Sequence, residues 1–205
     1  MPLSRRLFLV GLPLVAAGCV SGEYRADFAN YSAHRDEPYP VPSIPLSEID
    51  PDLRRREVAF DGDYASGTVV VNTPERRLYY VLGDGRAIRY GIGVGREGLA
   101  LRGSATVGRK AEWPSWRPTD NMIRRDPRNA RFAGGVPGGP NNPLGARALY
   151  LYRNGRDTMF RIHGTNQPHT IGQAVSSGCI RMLNHDVIDL YERVPVGTRV
   201  VVIQA

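Results

Sequence analysis

Cysteine is scarce in this chain: 205 residues carry two, Cys19 and Cys179. No Cys-x2-Cys or His-Glu-x2-His pattern occurs, which argues against the common zinc frameworks, and so thin a supply of thiols is no basis for a disulfide scaffold. Long apolar runs are missing as well. The most apolar stretch, ending at Ala17, covers about eleven residues, or about 16 Å of helix, against a hydrocarbon core of roughly 30 Å. That length excludes a permanent membrane span and leaves a signal peptide. No internal repeat is present. Acidic residues are outnumbered, 20 against 27 Lys and Arg, for a net charge of +7. Arg5 and Arg6 supply two of those charges, so the part after residue 18 holds +5, a balance that suits an anionic partner.

The amino terminus supplies an address. Ser4-Arg5-Arg6-Leu7-Phe8-Leu9 matches a twin-arginine export motif, and Ala16-Ala17-Gly18-Cys19 matches a lipobox, in which the Cys19 thiol is acylated and becomes the mature terminus. Plain cleavage nearby is the alternative. The expected organisation is a signal peptide over 1–18, a Pro-rich tether over 19–66 and a catalytic domain over 67–204. Pro38, Pro40, Pro42 and Pro45 disfavour helix and suggest an extended spacer between membrane and domain. The expected location is the periplasm or cell envelope, with a membrane contact through the N-terminal lipid. Val20 is not acidic, which points to the outer membrane if the cell has one. Export leaves nucleic acid out as a cellular partner. With Cys19 committed to lipid, Cys179 has no partner for a disulfide.

Cys179 lies in Ser176-Ser177-Gly178-Cys179-Ile180-Arg181-Met182, sixteen positions after His163 of His163-Gly164-Thr165. Thiolate rather than thiol attacks carbonyl carbon, so a catalytic Cys needs a base or positive surroundings. His163 can take the proton. Arg181, two residues on, leaves an extended strand on the same face as Cys179, where its charge favours thiolate and its fork can hold a carboxylate. Gly178 has no Cβ to obstruct a substrate, and the backbone N–H groups around it can donate to an oxyanion. The competing reading is a buried inert thiol. His163, His169, Cys179 and His185 include zinc-ligand types, but their spacings do not fit a metal site, and no metal or other cofactor is expected. His185 is expected to be solvated at a helix start and His169 to flank the cleft on a loop. Gly91-Ile92-Gly93-Val94-Gly95 imitates a phosphate loop, yet no helical pattern follows it. A strand with close backbone neighbours is the better reading.

Short runs rich in Val, Ile and Tyr predict strands over 68–72, 78–82, 87–94, 148–153, 159–163 and 199–203. One helix is expected from Asn184, as N-cap, through Val194, ended by Pro195 and Gly197. The fold class is mainly β, a β-sandwich with a small helical insertion. Residues 112–145 form a long irregular segment in which Trp113 and Trp116 are expected to wall or cover the cleft.

The ordered pieces His163-Gly164-Thr165-Asn166, Ile171-Gly172 and Ser176 to Met182 closely resemble the signature of the YkuD-type L,D-transpeptidases. Gly139-Pro140-Asn141-Asn142-Pro143-Leu144-Gly145 ahead of them, and 184–190 with Val196-Gly197-Thr198 after them, extend the resemblance over about 67–203. Ser177 departs from it, standing where many members have His. The resemblance implies Cys179 as nucleophile, His163 as proton donor and acceptor, and Gly164, Ser177, Gly178 and Arg181 in support. It also implies a peptidoglycan tetrapeptide stem as donor. Cys179 would attack the carbonyl joining the L-centre of diaminopimelate to D-Ala, D-Ala would leave, and an amine would resolve the thioester. A stem diaminopimelate, a protein amine or a D-amino acid can serve as acceptor. Two other classes fit less of the sequence: a Cys hydrolase or carboxypeptidase acting on the same stems, and a non-catalytic peptidoglycan-binding envelope lipoprotein.

Overall fold

The computed structural model describes residues 30–95, 101–174 and 179–204. Its described strands are β1 (Arg56–Ala59), β2 (Val69–Asn72), β3 (Arg77–Gly83), β4 (Arg86–Gly91), β5 (Gly93–Val94), β6 (Gly103–Glu112), β7 (Arg147–Arg153), β8 (Arg156–His163), β9 (Ile180–Arg181) and β10 (Arg199–Ile203). They form one sheet in the order β1-β4-β3-β2-β10-β6-β7-β8-β9-β5. Two hairpins follow from local chemistry. Asp84-Gly85 joins β3 to β4 and Asn154-Gly155 joins β7 to β8, all four with φ between 51° and 73°. Such pairs adopt the left-handed conformations that match the twist of the flanking strands.

Ile92 alone connects β4, second from one end of the strand order, to β5 at the other end. A one-residue link can do this only if the sheet curls until its ends almost meet. The two halves therefore face each other across one core. Val69 and Val71 of β2, Leu78 of β3 and Tyr90 of β4 share that core with Leu149 and Leu151 of β7, Ile162 of β8 and Ile180 of β9. A helix, α2 (Asn184–Arg193), adds Val187 and Leu190 to the same cluster. Gly91 and Gly93 sit where the curl is tightest: a Cβ on Gly91 would lie 2.5 Å from Leu53 O, and one on Gly93 2.7 Å from Thr170 O. Close backbone approach explains the glycines of this segment.

The fold is mainly β, with differences in detail. β6, the longest strand, carries Gly103, Gly108 and Lys110, so its composition hides it. The run expected over 87–94 is two strands pairing with different neighbours. Asn184 is the first residue of α2 rather than its N-cap, which is Leu183, and its side chain bonds elsewhere. His185 is 1% exposed rather than solvated, its Nε2 against Ser32 O at 3.0 Å.

The largest departure concerns the tether. Over 30–59 the chain is not an extended spacer but lies against the domain. Tyr31, Val41 and Ile49 are buried, and β1 forms an outer strand of the sheet against β4. Each buried apolar side chain of this size contributes about 1.5–3 kcal/mol, enough to hold a Pro-rich segment that cannot pair along its whole length. Polar contacts fix its path: Tyr31 Oη accepts from Arg55 N–H at 2.8 Å and donates to Asp186 at 3.4 Å. Trp113 belongs to this docking rather than to a lid. Its Nε1–H donates to Glu37 at 2.8 Å, and its ring meets Tyr39 edge-on at 5.1 Å. The segment 112–145 is less irregular than its composition suggests, containing α1 (Asp120–Arg125), a 3-10 turn over Pro127–Phe132 and a bridge between Trp116 and Val136.

Candidate active site

β8 and β9 run parallel with Ile162 opposite Ile180 and His163 opposite Arg181. Ile162 and Ile180 point into the core, so by strand alternation His163, Arg161, Arg181 and Cys179 occupy the other face. Two segments sixteen residues apart thereby bring the expected base, nucleophile and cation together. Met182 N–H donates to His163 O at 2.8 Å, extending the pairing past the site.

His163 is 4% exposed, and its Nδ1 lies 2.5 Å from Gly164 O. A carbonyl oxygen only accepts, so Nδ1 carries the proton and Nε2 keeps its lone pair. Burial lowers the imidazole to a pKa of about 4, with the neighbouring Arg181 and Arg161 charges acting the same way and the Gly164 bond opposing. At neutral pH the ring is an uncharged base. Cys179 is partly exposed, yet burial of its thiol pushes its pKa up, against a backbone hydrogen bond from Arg161 and the charges of Arg161 and Arg181. The expectation that positive surroundings favour thiolate is therefore half right: the cations are present, but desolvation outweighs them. The resting pair is thiol and neutral imidazole. Arg161, absent from the sequence reading, is the nearer cation in effect, and the alternation of β8 would have placed it beside His163.

Arg181 is held by neutral acceptors, Gln167 Oε1 at 3.3 Å and Thr170 Oγ1 at 3.4 Å. Burial depresses its pKa, and no carboxylate among the described residues pairs with it. Asp186, the acid that could have bound it, is engaged with Tyr31 and lies 3.8 Å from Arg55. A half-buried guanidinium without an acid suits an incoming carboxylate. Ser177, Gly178 and Cys19 lie outside the described residues. His169 is exposed on the turn Pro168–Thr170.

Sequence reasoning missed the residue that holds the histidine loop in place. Asn184 Oδ1 accepts from Ala146 N–H at 3.0 Å and from Thr165 N–H at 3.2 Å, tying the start of β7 to the end of β8. Gly145 and Gly164 close around that oxygen, and a Cβ on either would collide with it. Gly164 thus leaves room for the Asn184 side chain. Asn142, fully buried, ties the preceding loop by bonds to Val136 O, Pro137 O and Leu144 N–H. A cavity of about 480 Å³ lies elsewhere, between the docked N-terminal segment and α2, lined by His34, Arg55, His185 and Asp189 among others. It includes none of the catalytic candidates.

A thiol just before β9 and a neutral imidazole at the end of β8, on one face of a curled β fold with an uncompensated arginine beside them, are groups that acyl transfer through cysteine would need. The description of one family model, the L,D-transpeptidase catalytic domain, matches residues 66–202, and the chain belongs to that family. Probable L,D-transpeptidase ErfK/SrfK of Escherichia coli K12 is 42% identical over 139 residues, 66% of this chain and 43% of that protein. The chain thus spans under half the length of that relative. A crystal structure of a protein from Brucella melitensis, described as a probable carnitine operon oxidoreductase, is 53% identical with a TM-score of 0.53, covering 76% of this chain and 96% of that one. The redox chemistry in that description differs from the family matched here, and the thiol–imidazole pair fits the family. The Ldtfm–avibactam carbamoyl enzyme is 19% identical with a TM-score of 0.50 over 69% of this chain and 50% of that one, a likeness of fold alone.

Proposed function

We propose that this protein is a peptidoglycan L,D-transpeptidase acting through Cys179 and His163. The observation that carries the reading is the placement of His163: its Nδ1 lies 2.5 Å from Gly164 O, which leaves Nε2 as the proton acceptor, and its strand position puts it on the face of the sheet that carries Cys179. Cys179 transfers its proton to Nε2 as sulfur attacks the carbonyl between the L-centre of diaminopimelate and D-Ala in a tetrapeptide stem. The C–N bond breaks, the leaving amine of D-Ala takes the proton from His163, and a thioester remains. An amine then attacks the thioester and gives its proton to His163, the C–S bond breaks, and the leaving thiolate recovers that proton from His163. Arg181 binds a donor carboxylate. The amine of a second stem gives a 3→3 cross-link; a protein amine or D-amino acid gives an anchored protein or an exchanged stem.

Incubation of the chain from residue 20 onward with tetrapeptide muropeptides, followed by mass, tests this. Loss of D-Ala with formation of an amide to an added amine is expected, and is absent for Cys179→Ser. Loss of D-Ala with water alone, whatever amine is added, would make the protein a carboxypeptidase. No reaction would leave a binding lipoprotein. The address belongs to the same proposal: twin-arginine export and a lipid on Cys19 place the enzyme in the envelope. Lys in place of both Arg5 and Arg6 should retain precursor in the cytoplasm, and Cys19→Ala should move the protein from membrane to soluble fractions.

A further inference from the structure

On the face of the sheet that carries Cys179, a row of side chains crosses the strands. Arg109 of β6 lies opposite Tyr150 of β7, and Tyr150 lies opposite Arg161 of β8. Arg161 is the residue whose backbone bonds Cys179. The Arg109 guanidinium sits 3.5 Å from the Tyr150 ring centroid and that of Arg161 4.4 Å. Tyr150 stands between them in strand order, so each cation takes one face of the ring.

Arg109 reaches this row through a local irregularity. Val107 belongs to the core, and plain alternation would turn Arg109 inward as well. The pairing of β6 with β7 slips between Val107 and Arg109, leaving Gly108 as the extra residue, and a Cβ there would collide with the Tyr152 ring. The bulge flips Arg109 outward and Lys110 inward, where Nζ donates to Tyr191 O. Bulges beside active sites commonly re-aim a side chain in this way.

The two arginines differ in what remains open. Arg161 is closed by a bidentate pair with Asp157 at 2.7 and 2.9 Å. Arg109 is exposed, and among the described residues no carboxylate pairs with it. Its fork is therefore positioned by stacking on a buried ring and available to an anion. Three strand spacings separate the strand of Arg109 from that of Cys179, about 14 Å at about 4.8 Å each. Arg181, one strand from His163, serves an anion close to the reacting carbonyl; Arg109 serves one further out.

We propose that Arg109, stacked on Tyr150, binds a carboxylate of the acceptor, forming an acceptor subsite on the outer face of β6 to β8. The proposal rests on the acyl-transfer reading above. It assigns the acceptor as an amine whose own molecule carries a carboxylate, as a stem diaminopimelate or a D-amino acid does, rather than a neutral amine.

Two half-reactions separate it from the function on which it rests. Thioester formation is followed by intact mass and D-Ala release on a tetrapeptide donor. Transfer is followed with two acceptor stems that differ only in a free carboxylate or a carboxamide on the diaminopimelate bearing the amine. Wild type should prefer the carboxylate acceptor by about 10-fold or more, the range of a charge-assisted hydrogen bond. Arg109→Ala should form thioester at the wild-type rate and show a preference near one. Arg109→Lys should recover part of it, keeping the charge without the fork. An unchanged preference in Arg109→Ala would overturn the proposal, as would slower thioester formation with normal partitioning, which would give Arg109 to the donor. No thioester on wild type would remove the acyl-transfer reading and this subsite with it.

Discussion

Glu37 closes a two-pronged ion pair on Arg147 across 110 positions of sequence, with Nη1 at 2.8 Å and Nη2 at 2.5 Å from its two oxygens. Arg147 opens β7, and its carbonyl accepts from Gly164 N–H at 3.0 Å, next to His163. A segment that composition marks as spacer thus reaches the footing of the site.

Removing that carboxylate should be expensive. The side chains of Arg147 and Glu37 are 5% and 12% exposed, so Glu37→Ala strands a buried cation and should lower stability by about 3–5 kcal/mol. The bonds from Arg147 hold the Glu37 carboxyl below its usual pKa, so the pair contributes above the ordinary carboxylate range and is lost as pH falls through the folded value. Urea unfolding of wild type and Glu37→Ala at neutral pH measures the loss. A difference under about 1 kcal/mol would mean that the pair behaves as an exposed one.

Asn184→Ala should injure catalysis more than its distance from the thiol suggests. The variant leaves two backbone N–H groups, of Ala146 and Thr165, without their acceptor, at about 1–3 kcal/mol for each that water cannot reach. The loop carrying His163 then loses its tie to α2. D-Ala release should fall by about 10-fold or more, in the range seen when a catalytic group is misplaced. Asn184→Asp, which keeps an acceptor oxygen, should retain more activity than Ala. Equal rates for the two variants would show that the carbonyl is not what matters.

Much of this arrangement was readable in advance, and the exceptions have physical causes. That Cys179, His163 and Arg181 would meet could be expected because chemistry restricts which residue types serve as nucleophile, base and anion-binding cation, and the Val-rich strands and α2 were visible because burial imposes a period. β6 escaped because Gly108 breaks the alternation at the bulge. The docking of 30–59 escaped because its anchors are isolated: Tyr31, Val41 and Ile49 are spread through polar sequence, and Glu37 finds its partner only in three dimensions. Asn184 reads as a cap in the sequence because local spacing shows a helix start and not the two amides that converge on its side chain. The thiol's raised pKa depended on burial, which positive neighbours in sequence do not report.

The pH dependence of stability should carry the mark of Asp186. It is fully buried, and desolvation raises its pKa to about 7 despite Arg55 and the Tyr31 bond. The folded state then binds more protons than the unfolded state between 3.8 and about 7, so this group's contribution is full below 3.8 and is lost as pH rises through 7. His185, lowered to about 4 by burial, acts oppositely, its cost appearing as pH falls from 6.5 toward 4. Asp186→Asn removes only the first effect. Stability measured by urea from pH 4.5 to 8 should therefore rise more steeply with pH in the variant than in wild type. Parallel curves would show that Asp186 is ionised throughout.

The dyad itself makes the sharpest pH prediction, because two resting states are possible and they titrate differently. In an ion pair, thiolate forms well below neutrality and reactivity is lost when the imidazolium gives up its proton. Here His163 is lowered to about 4 and Cys179 is raised, both by burial, so thiol and neutral imidazole coexist across the neutral range. Acylation by the tetrapeptide donor should fall only as pH drops through about 4, where Nε2 takes a proton and can no longer accept one from sulfur. It should show no decline on passing 6.5, the ordinary value for imidazole. Iodoacetamide, which needs thiolate and cannot use the base as the donor does, should alkylate Cys179 slowly at pH 6 and faster toward alkaline pH. His163→Ala should then lose acylation about 100-fold or more while alkylation at alkaline pH stays within a few-fold of wild type. Rapid, pH-independent alkylation between 5 and 7 that His163→Ala abolishes would establish an ion pair and refute the neutral resting state.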